Sequence, residues 1–263
     1  MEPSKVITHG VSRRTTLADA VDANIEELQI DGYTILDSGL SRDQLENLCS
    51  LLDRAHARQQ ADSRAAADTD IVRCPLAHDD LFLAVATNHA LMALCRRVFG
   101  ENFVLLQQNG IINRPHTREY QSRWHRDLSY QHFVASRKIA INALLCLGDF
   151  TAETGGTWIL PGTHQIENFP SDRYVMMHEK VAAARAGSFL VLDAMLFHRG
   201  GYNASPAGRY GLNHLIGLPF LAQQVDIPRM LQRDFSNDPF LNRYLGYRWN
   251  PAADVETWRK RRT

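Results

Sequence analysis

Arg123-Trp124-His125-Arg126-Asp127 is the stretch on which the reading of this chain turns. In an extended segment side chains alternate faces with period two, so His125 and Asp127 project to one side and can share one metal ion. The bare pattern is cheap. His-x-Asp occurs at both His78/Asp80 and His125/Asp127, and with 11 histidines in the chain a chance match is expected. His78-Asp79-Asp80 directly precedes Leu81-Phe82-Leu83-Ala84-Val85, where an aspartate caps a helix and acidic residues favour its N-terminus. Capping accounts for the first pair. The second needs partners from elsewhere.

The pair sits among strand signals. Residues 103–113 form a long extended candidate ended by Arg114-Pro115. Residues 139–147 are nearly all apolar, as expected of a strand covered on both faces. Further strands are predicted at 157–160, 188–192 and 209–218, with Gly and Pro between them. The earlier part of the chain reads as helix. Leu17, Ala20, Val21, Ile25 and Leu28 give residues 15–30 an apolar stripe, and a short strand follows at 33–36. Ser41 and Gln44 form a capping-box pattern opening a helix to about Gln60, with Leu45, Leu48, Leu52 and Ala55 inside and Arg54, Arg58 and Gln59 outside. Residues 61–70 are small, polar and without period, either an ordinary surface connection or a lid. Residues 80–99 read as one helix stopped by Gly100. Helices first and strands afterwards imply a sheet sandwich or barrel dressed by helices on one side.

At 263 residues one domain is expected, with a helical part at about 15–100, a β core at about 101–221 and a closing segment at 222–263. The 29 basic and 29 acidic residues cancel and are scattered, which argues against a nucleic-acid surface. The basic run Arg259-Lys260-Arg261-Arg262 reads as a solvated tail. Met1-Glu2-Pro3-Ser4-Lys5 leads into polar sequence without the apolar core of a signal peptide, and no apolar run is long enough to span a bilayer. Cys49, Cys74, Cys95 and Cys146 show no Cys-x-x-Cys spacing, and three lie in Leu/Ala-rich runs, as buried free thiols in a reducing compartment would. A cytoplasmic protein acting on a small molecule, without nucleic-acid or membrane partners, is the expectation; the oligomeric state stays open.

His198 distinguishes the second pair. It ends Gly187-Ser188-Phe189-Leu190-Val191-Leu192-Asp193-Ala194-Met195-Leu196-Phe197-His198, a strand followed by a short approach to the Gly200-Gly201 turn. An imidazole delivered there by an apolar scaffold needs a partner, whether as a core histidine or as a third ligand. Two histidines and one carboxylate make the facial triad that binds Fe(II) and leaves open positions. Arg209, eleven residues later, opens the next strand. A guanidinium grips a carboxylate with two parallel hydrogen bonds, which lysine cannot copy. The apolar sequence after Arg209 favours a position inside a barrel over a surface ion pair. A dicarboxylate cosubstrate could then chelate the metal at one end and meet Arg209 at the other.

Taken together, Trp124-His125-x-Asp127, the block from Glu153-Thr154-Gly155-Gly156-Thr157-Trp158 to Pro161-Gly162-Thr163-His164, His198 with Arg209, and the tail Leu245-Gly246-Tyr247-Arg248 resemble the phytanoyl-CoA dioxygenase family of Fe(II)/2-oxoglutarate oxygenases. The resemblance implies a mainly β fold with flanking helices, a double-stranded β-helix (jelly-roll, cupin-like) core with iron near the barrel mouth. It implies His125, Asp127 and His198 as iron ligands, Arg209 on the distal carboxylate of 2-oxoglutarate, and Asn113 as a cosubstrate contact. Asn109 and Gln107 share the parity of Asn113, and Thr157 is a further pocket candidate; a plain polar strand edge would explain the three strand residues equally well. Asp127 stands where related halogenases carry a small residue, which disfavours halogenation.

The implied reaction couples O2 and 2-oxoglutarate decarboxylation, to succinate and CO2, to oxidation of a substrate C–H bond. Hydroxylation is the default, with desaturation, ring closure and epimerisation open. Tyr130, Gln131, His132 and Arg137, just after the ligands, are the substrate-contact candidates, Arg137 adding charge for an acidic substrate, and a pocket rich in Gln, Asn, His and Arg suits a small polar metabolite or biosynthetic intermediate over a fatty acyl chain. Packing of the loop onto the barrel is the alternative for these four. Two other readings of the whole chain remain at this point: a cupin-type metal enzyme that works without 2-oxoglutarate, and a noncatalytic ligand-binding barrel.

Overall fold

The computed structural model describes residues 10, 11, 13–61, 70–117 and 121–260. Its strands are β1 (Tyr33–Asp37), β2 (Ile71–Arg73), β3 (Val104–Asn113), β4 (Ala140–Cys146), β5 (Trp158–Ile159), β6 (Lys180–Val181), β7 (Ser188–Asp193), β8 (His198–Arg199) and β9 (Arg209–Gly217). Its helices are α1 (Ala20–Ile30), α2 (Arg42–Gln60), α3 (Asp80–Ala86), α4 (His89–Phe99), α5 (Asp172–His178), α6 (Ile227–Leu231), α7 (Pro239–Tyr244) and α8 (Val255–Lys260). Six strands form an antiparallel sheet in the order β1-β7-β4-β9-β3-β2, and β6-β5-β8 form a smaller one. This is the jelly-roll arrangement expected, with helices on one side.

Strand parity divides the large sheet into two working faces. Ile141, Ala143 and Leu145 of β4, Phe189 and Val191 of β7, and Leu212 and Ile216 of β9 join Leu45, Leu48 and Leu52 of α2 in one apolar cluster. Leu144, Cys146, Leu190 and Leu192 face the other way, into a second cluster with Phe150 and Ile159 beside the small sheet. Burial on both faces is why β4 reads as apolar throughout apart from Asn142. In β3 the register against β9 slips between Leu105 and Gln107, leaving Leu106 as an extra residue. That bulge resets the alternation, so that Gln107, Asn109 and Ile111 look into the barrel while Gln108 and Ile112 lie under the helices.

The helix boundaries differ from expectation at three points. Helix α1 begins at Ala20, capped by Asp19, and Leu17 lies outside it, 46% exposed. Residues 80–99 form two helices rather than one, because Asn88 caps α4, accepting from the backbone N–H groups of Ala90 and Leu91. Gln59 is half-buried rather than outside, its side chain bonded to both backbone N–H and C=O of Arg73 in β2. The Ser41/Gln44 capping box, the Asp79 cap on α3 and the Gly100 stop, with φ +75, are as predicted. All four cysteines are free and three are buried. The suggested lid at 61–70 falls almost wholly, and the end of the basic tail wholly, outside the described residues. Among the described residues no single helix is long and apolar enough to cross a membrane.

Candidate metal centre

The His125 segment reaches the site by pairing with β8. The backbone N–H of His125 donates to the His198 carbonyl at 3.0 Å and the exchange is returned at 3.0 Å, while the Asp127 N–H donates to Ala194 at 3.0 Å. This two-residue bridge extends the small sheet and fixes all three candidate ligands by backbone geometry. Their donor atoms lie within 4.8 Å of one another. Each imidazole holds a backbone carbonyl two residues back, His125 Nδ1 to Arg123 at 2.8 Å and His198 Nδ1 to Leu196 at 2.9 Å. Those bonds place the ring proton on Nδ1 and turn each Nε2 lone pair inward, the tautomer a metal ligand needs. His125 Nε2 is buried without a hydrogen-bond partner, and Asp127 Oδ1 lies 3.6 Å from His198 Nε2. An unpartnered buried nitrogen beside a carboxylate and a second imidazole fits a divalent cation of the borderline kind.

Electrostatics in this cluster are mutual. Burial, followed by the charge of His198, pushes the His125 pKa down to about 4. Burial opposes the charge of Asp127 as well, but His198, His125 and the hydrogen bond from Asn142 outweigh it and hold this carboxyl below its usual range. Burial likewise acts to lower His198, and the Asp127 carboxylate overcomes it and raises that imidazole.

Two chambers meet at the triad. A narrow one of about 30 Å³ is lined by His125, His198, Asn142, Thr157, Arg209 and Asn213. Arg209 is 4% exposed and its guanidinium lies over the Phe150 ring at 4.2 Å; burial pushes its pKa down to about 9. A wider chamber of about 220 Å³ abuts His125 and Asp127 and is walled by Gln107, Asn109, Gln121, Asn213 and Gln224.

The sequence candidates separate accordingly. His125, Asp127, His198, Arg209 and Thr157 come together around the narrow chamber and triad. Gln107 and Asn109 line the wider chamber, away from Arg209. Asn113 lines neither; its amide donates to Gly201 at 3.1 Å and braces the crossing of Gly155 and Gly201. The four substrate candidates are not brought to either chamber. Tyr130 is 66% exposed, and His132 and Arg137 are also exposed. The Gln131 amide is committed to the loop itself, accepting from the Arg126 N–H and donating to the Arg126 and Leu128 carbonyls. Arg126 ties this loop down through the Gln131 and Phe133 carbonyls, and of the four candidates Gln131 alone is bonded within it, while Arg137 lines a separate cavity.

Sequence reasoning missed Asn142, Asn213 and Gln224. Asn142 donates to Asp127 Oδ2 at 2.7 Å, leaving Oδ1 toward the imidazoles. A single amide inside the apolar run of β4 was the available signal.

A model of the phytanoyl-CoA dioxygenase family matches residues 28–211. An uncharacterised protein of Mycobacterium bovis, Mb1539, is 25% identical over 233 residues, covering 84% of this chain and 82% of its own. The dioxygenase hkm4 of Aspergillus hancockii is 28% identical over 217 residues, covering 73% of this chain and 69% of its own. Among solved structures, HygX of Streptomyces hygroscopicus with nickel and 2-oxoglutarate bound superposes with a TM-score of 0.61 at 18% identity, over 78% of this chain and 90% of its own. With its His-Asp-His cluster in place, the chain belongs to the phytanoyl-CoA dioxygenase family and is a dioxygenase dependent on Fe(II), 2-oxoglutarate and O2.

Proposed function

We propose that this dioxygenase hydroxylates an unactivated C–H bond of a small polar metabolite in the cytoplasm, as a single-domain enzyme without nucleic-acid or membrane partners. The observation that carries the reading is the meeting of two unlike chambers at one triad. His125, Asp127 and His198 would hold the iron, and the buried Arg209 guanidinium, with Thr157 and Asn213 alongside, would take the distal carboxylate of 2-oxoglutarate. The wider chamber then receives the substrate against the opposite side of His125 and Asp127. Iron with 2-oxoglutarate and O2 supplies the oxidising power for C–H cleavage, 2-oxoglutarate leaving as succinate and CO2. The protein holds the reactants in register and keeps bulk water out. Gln107 and Asn109 belong on this reading to the substrate wall rather than to the cosubstrate, and Asn113, paired with Arg209 across β3 and β9, shapes the backbone behind it.

Succinate formation and O2 uptake with added Fe(II) and 2-oxoglutarate test the proposal. Arg209→Ala should raise the KM for 2-oxoglutarate at least tenfold, and His198→Ala should abolish stoichiometric metal binding. An unchanged KM in the first variant would remove Arg209 from the site. Metal-dependent turnover that ignores 2-oxoglutarate would instead favour the cupin-type alternative. A product heavier by one oxygen marks hydroxylation; loss of two hydrogens marks desaturation or ring closure.

A further inference from the structure

Carboxamides are the commonest side chains on the wider chamber, five of its eleven lining residues, beside Ile71, Ile111, Arg73, Arg126, His125 and Asp127. Five carboxamides converge on it from separate parts of the chain: Gln107 and Asn109 from β3, Gln121 from the approach to the metal pair, Asn213 from β9 and Gln224 from the C-terminal segment. Gln224 is pinned there, its backbone N–H donating to Leu106 at 2.9 Å and its amide 3.2 Å from that of Asn109. Asn213 Oδ1 is buried without a hydrogen-bond partner. The charges on the wall are already engaged. The Arg126 guanidinium is bonded to backbone carbonyls, Asp127 belongs to the triad, and Arg73 Nη1 lies 3.2 Å from the Asn109 amide.

From this wall we propose that the chamber binds a neutral, polyhydroxylated molecule of about sugar-ring size, read through its hydroxyl groups by the five carboxamides. The proposal rests on the oxygenase reading of the triad and narrows its substrate class. Each carboxamide offers two donors and an accepting oxygen, and a hydroxyl both donates and accepts, so a polyol can satisfy both ends of every amide. A carboxylate or phosphate only accepts, so it can use the amide N–H groups but offers no donor to the amide oxygens, Asn213 Oδ1 among them. An acyl chain would cover the amides not already bonded to one another, Asn213 Oδ1 among them, and supply no hydrogen bond in place of water. Sites built to hydrogen-bond a hydroxyl reject analogues lacking it by about 10⁴-fold or more. Size is compatible: a chamber of about 220 Å³ is far larger than the ~10–15 Å³ that one water needs and has room for a small ring.

The test uses the whole protein loaded with Mn(II) and 2-oxoglutarate under anaerobic conditions, where paramagnetic broadening of a probe's proton signals reports binding beside the metal. The probes are a panel of neutral cyclitols and methyl glycosides headed by myo-inositol, with glucose 6-phosphate and octanoate as the charged and acyl comparisons. At least one neutral polyol is expected to bind tenfold or more tightly than either comparison, and Gln107→Leu is expected to weaken it at least tenfold. Octanoate or glucose 6-phosphate binding as well as the best polyol, or no polyol broadened at all, overturns the proposal. Should the variant fail to fold, the ranking of probes on the unmodified protein decides alone. Binding of Mn(II) and 2-oxoglutarate to the same protein is measured in parallel: if both bind while polyols fail, only the substrate class is wrong, and if they do not bind, the oxygenase reading itself has failed.

Discussion

Arg126 lies between two of the candidate metal ligands in sequence and is only 2% exposed, yet its guanidinium serves the loops around the site. Nε donates to Met195 at 2.6 Å, Nη1 to Gln131, Phe133 and Glu167, and Nη2 to Thr163 and Ile166, while the cation stacks over Phe197 at 3.9 Å. One side chain therefore ties the segment after the ligands to those around residues 163–167 and 195. Arg126→Met strips six carbonyls of their donor and should cost more than about 3 kcal/mol, the scale for breaking a buried charged network. For a chain of this size that is a fall in Tm of about 6–12 °C. Arg126→Lys should recover little of it, since three clustered donors cannot span the positions a planar fork reaches. Thermal unfolding of both variants checks this; a Tm within 2 °C of the parent would show that the loops are held by something else. At this scale the His125/Asp127 pairing was legible because backbone period two puts both on one face, and His198 because it ends a long apolar strand. Arg126 was not, because its partners are carbonyls of irregular loops, which carry no sequence pattern, and Asn142 and Asn213 were single amides whose facing depends on the register of a sheet.

Among the elements, the long apolar strands and the α2 capping box could be read directly, because both depend on local spacing. The β3 bulge and the α3–α4 break could not. The bulge shows only in the pairing of β3 with β9, yet it aims Gln107 at the wider chamber, and without it that residue would share the helix-facing side with Leu105. The break at Asn88 hides inside an apolar period that continues across it. Asn88 caps α4 through Oδ1 and reaches across to the Ser38 carbonyl through Nδ2 at 2.8 Å, so one side chain both ends a helix pair's continuity and ties it to the loop before α2. Asn88→Ala loses a cap and a tertiary hydrogen bond, about 1 kcal/mol each, and should lower Tm by roughly 4–8 °C. Asn88→Asp keeps the cap and should lose only about half as much. Equal losses in the two variants would assign the whole effect to the Ser38 contact.

Across the whole molecule, a single strand joins site and core. Asn213 of β9 looks into the chambers, and the next residue, His214, is fully buried on the helix side. Its Nδ1 lies 3.0 Å from the Ala143 carbonyl and its Nε2 lies 2.9 Å from the Gln108 amide, whose other bonds reach the Leu76 N–H and the Phe82 carbonyl of α3. Neutral imidazole completes this network, and burial pushes its pKa down to about 4. The unfolded chain takes up a proton near pH 6.5 that the folded chain refuses until about pH 4, so the stabilising effect is complete above pH 6.5 and is lost as pH falls through that window. The loss amounts to about 3 kcal/mol, and the α2–α3 layer over β9 is where it should be felt. His125 titrates over a similar range in the metal-free protein, so the parent alone cannot isolate the effect. His214→Gln can keep a donor toward Ala143 and an acceptor toward Gln108 without titrating. Denaturant unfolding of both proteins at pH 7 and pH 4.5 should show the variant losing about 2–3 kcal/mol less than the parent on acidification; equal losses would mean that the buried imidazole does not set the acid limit of the fold.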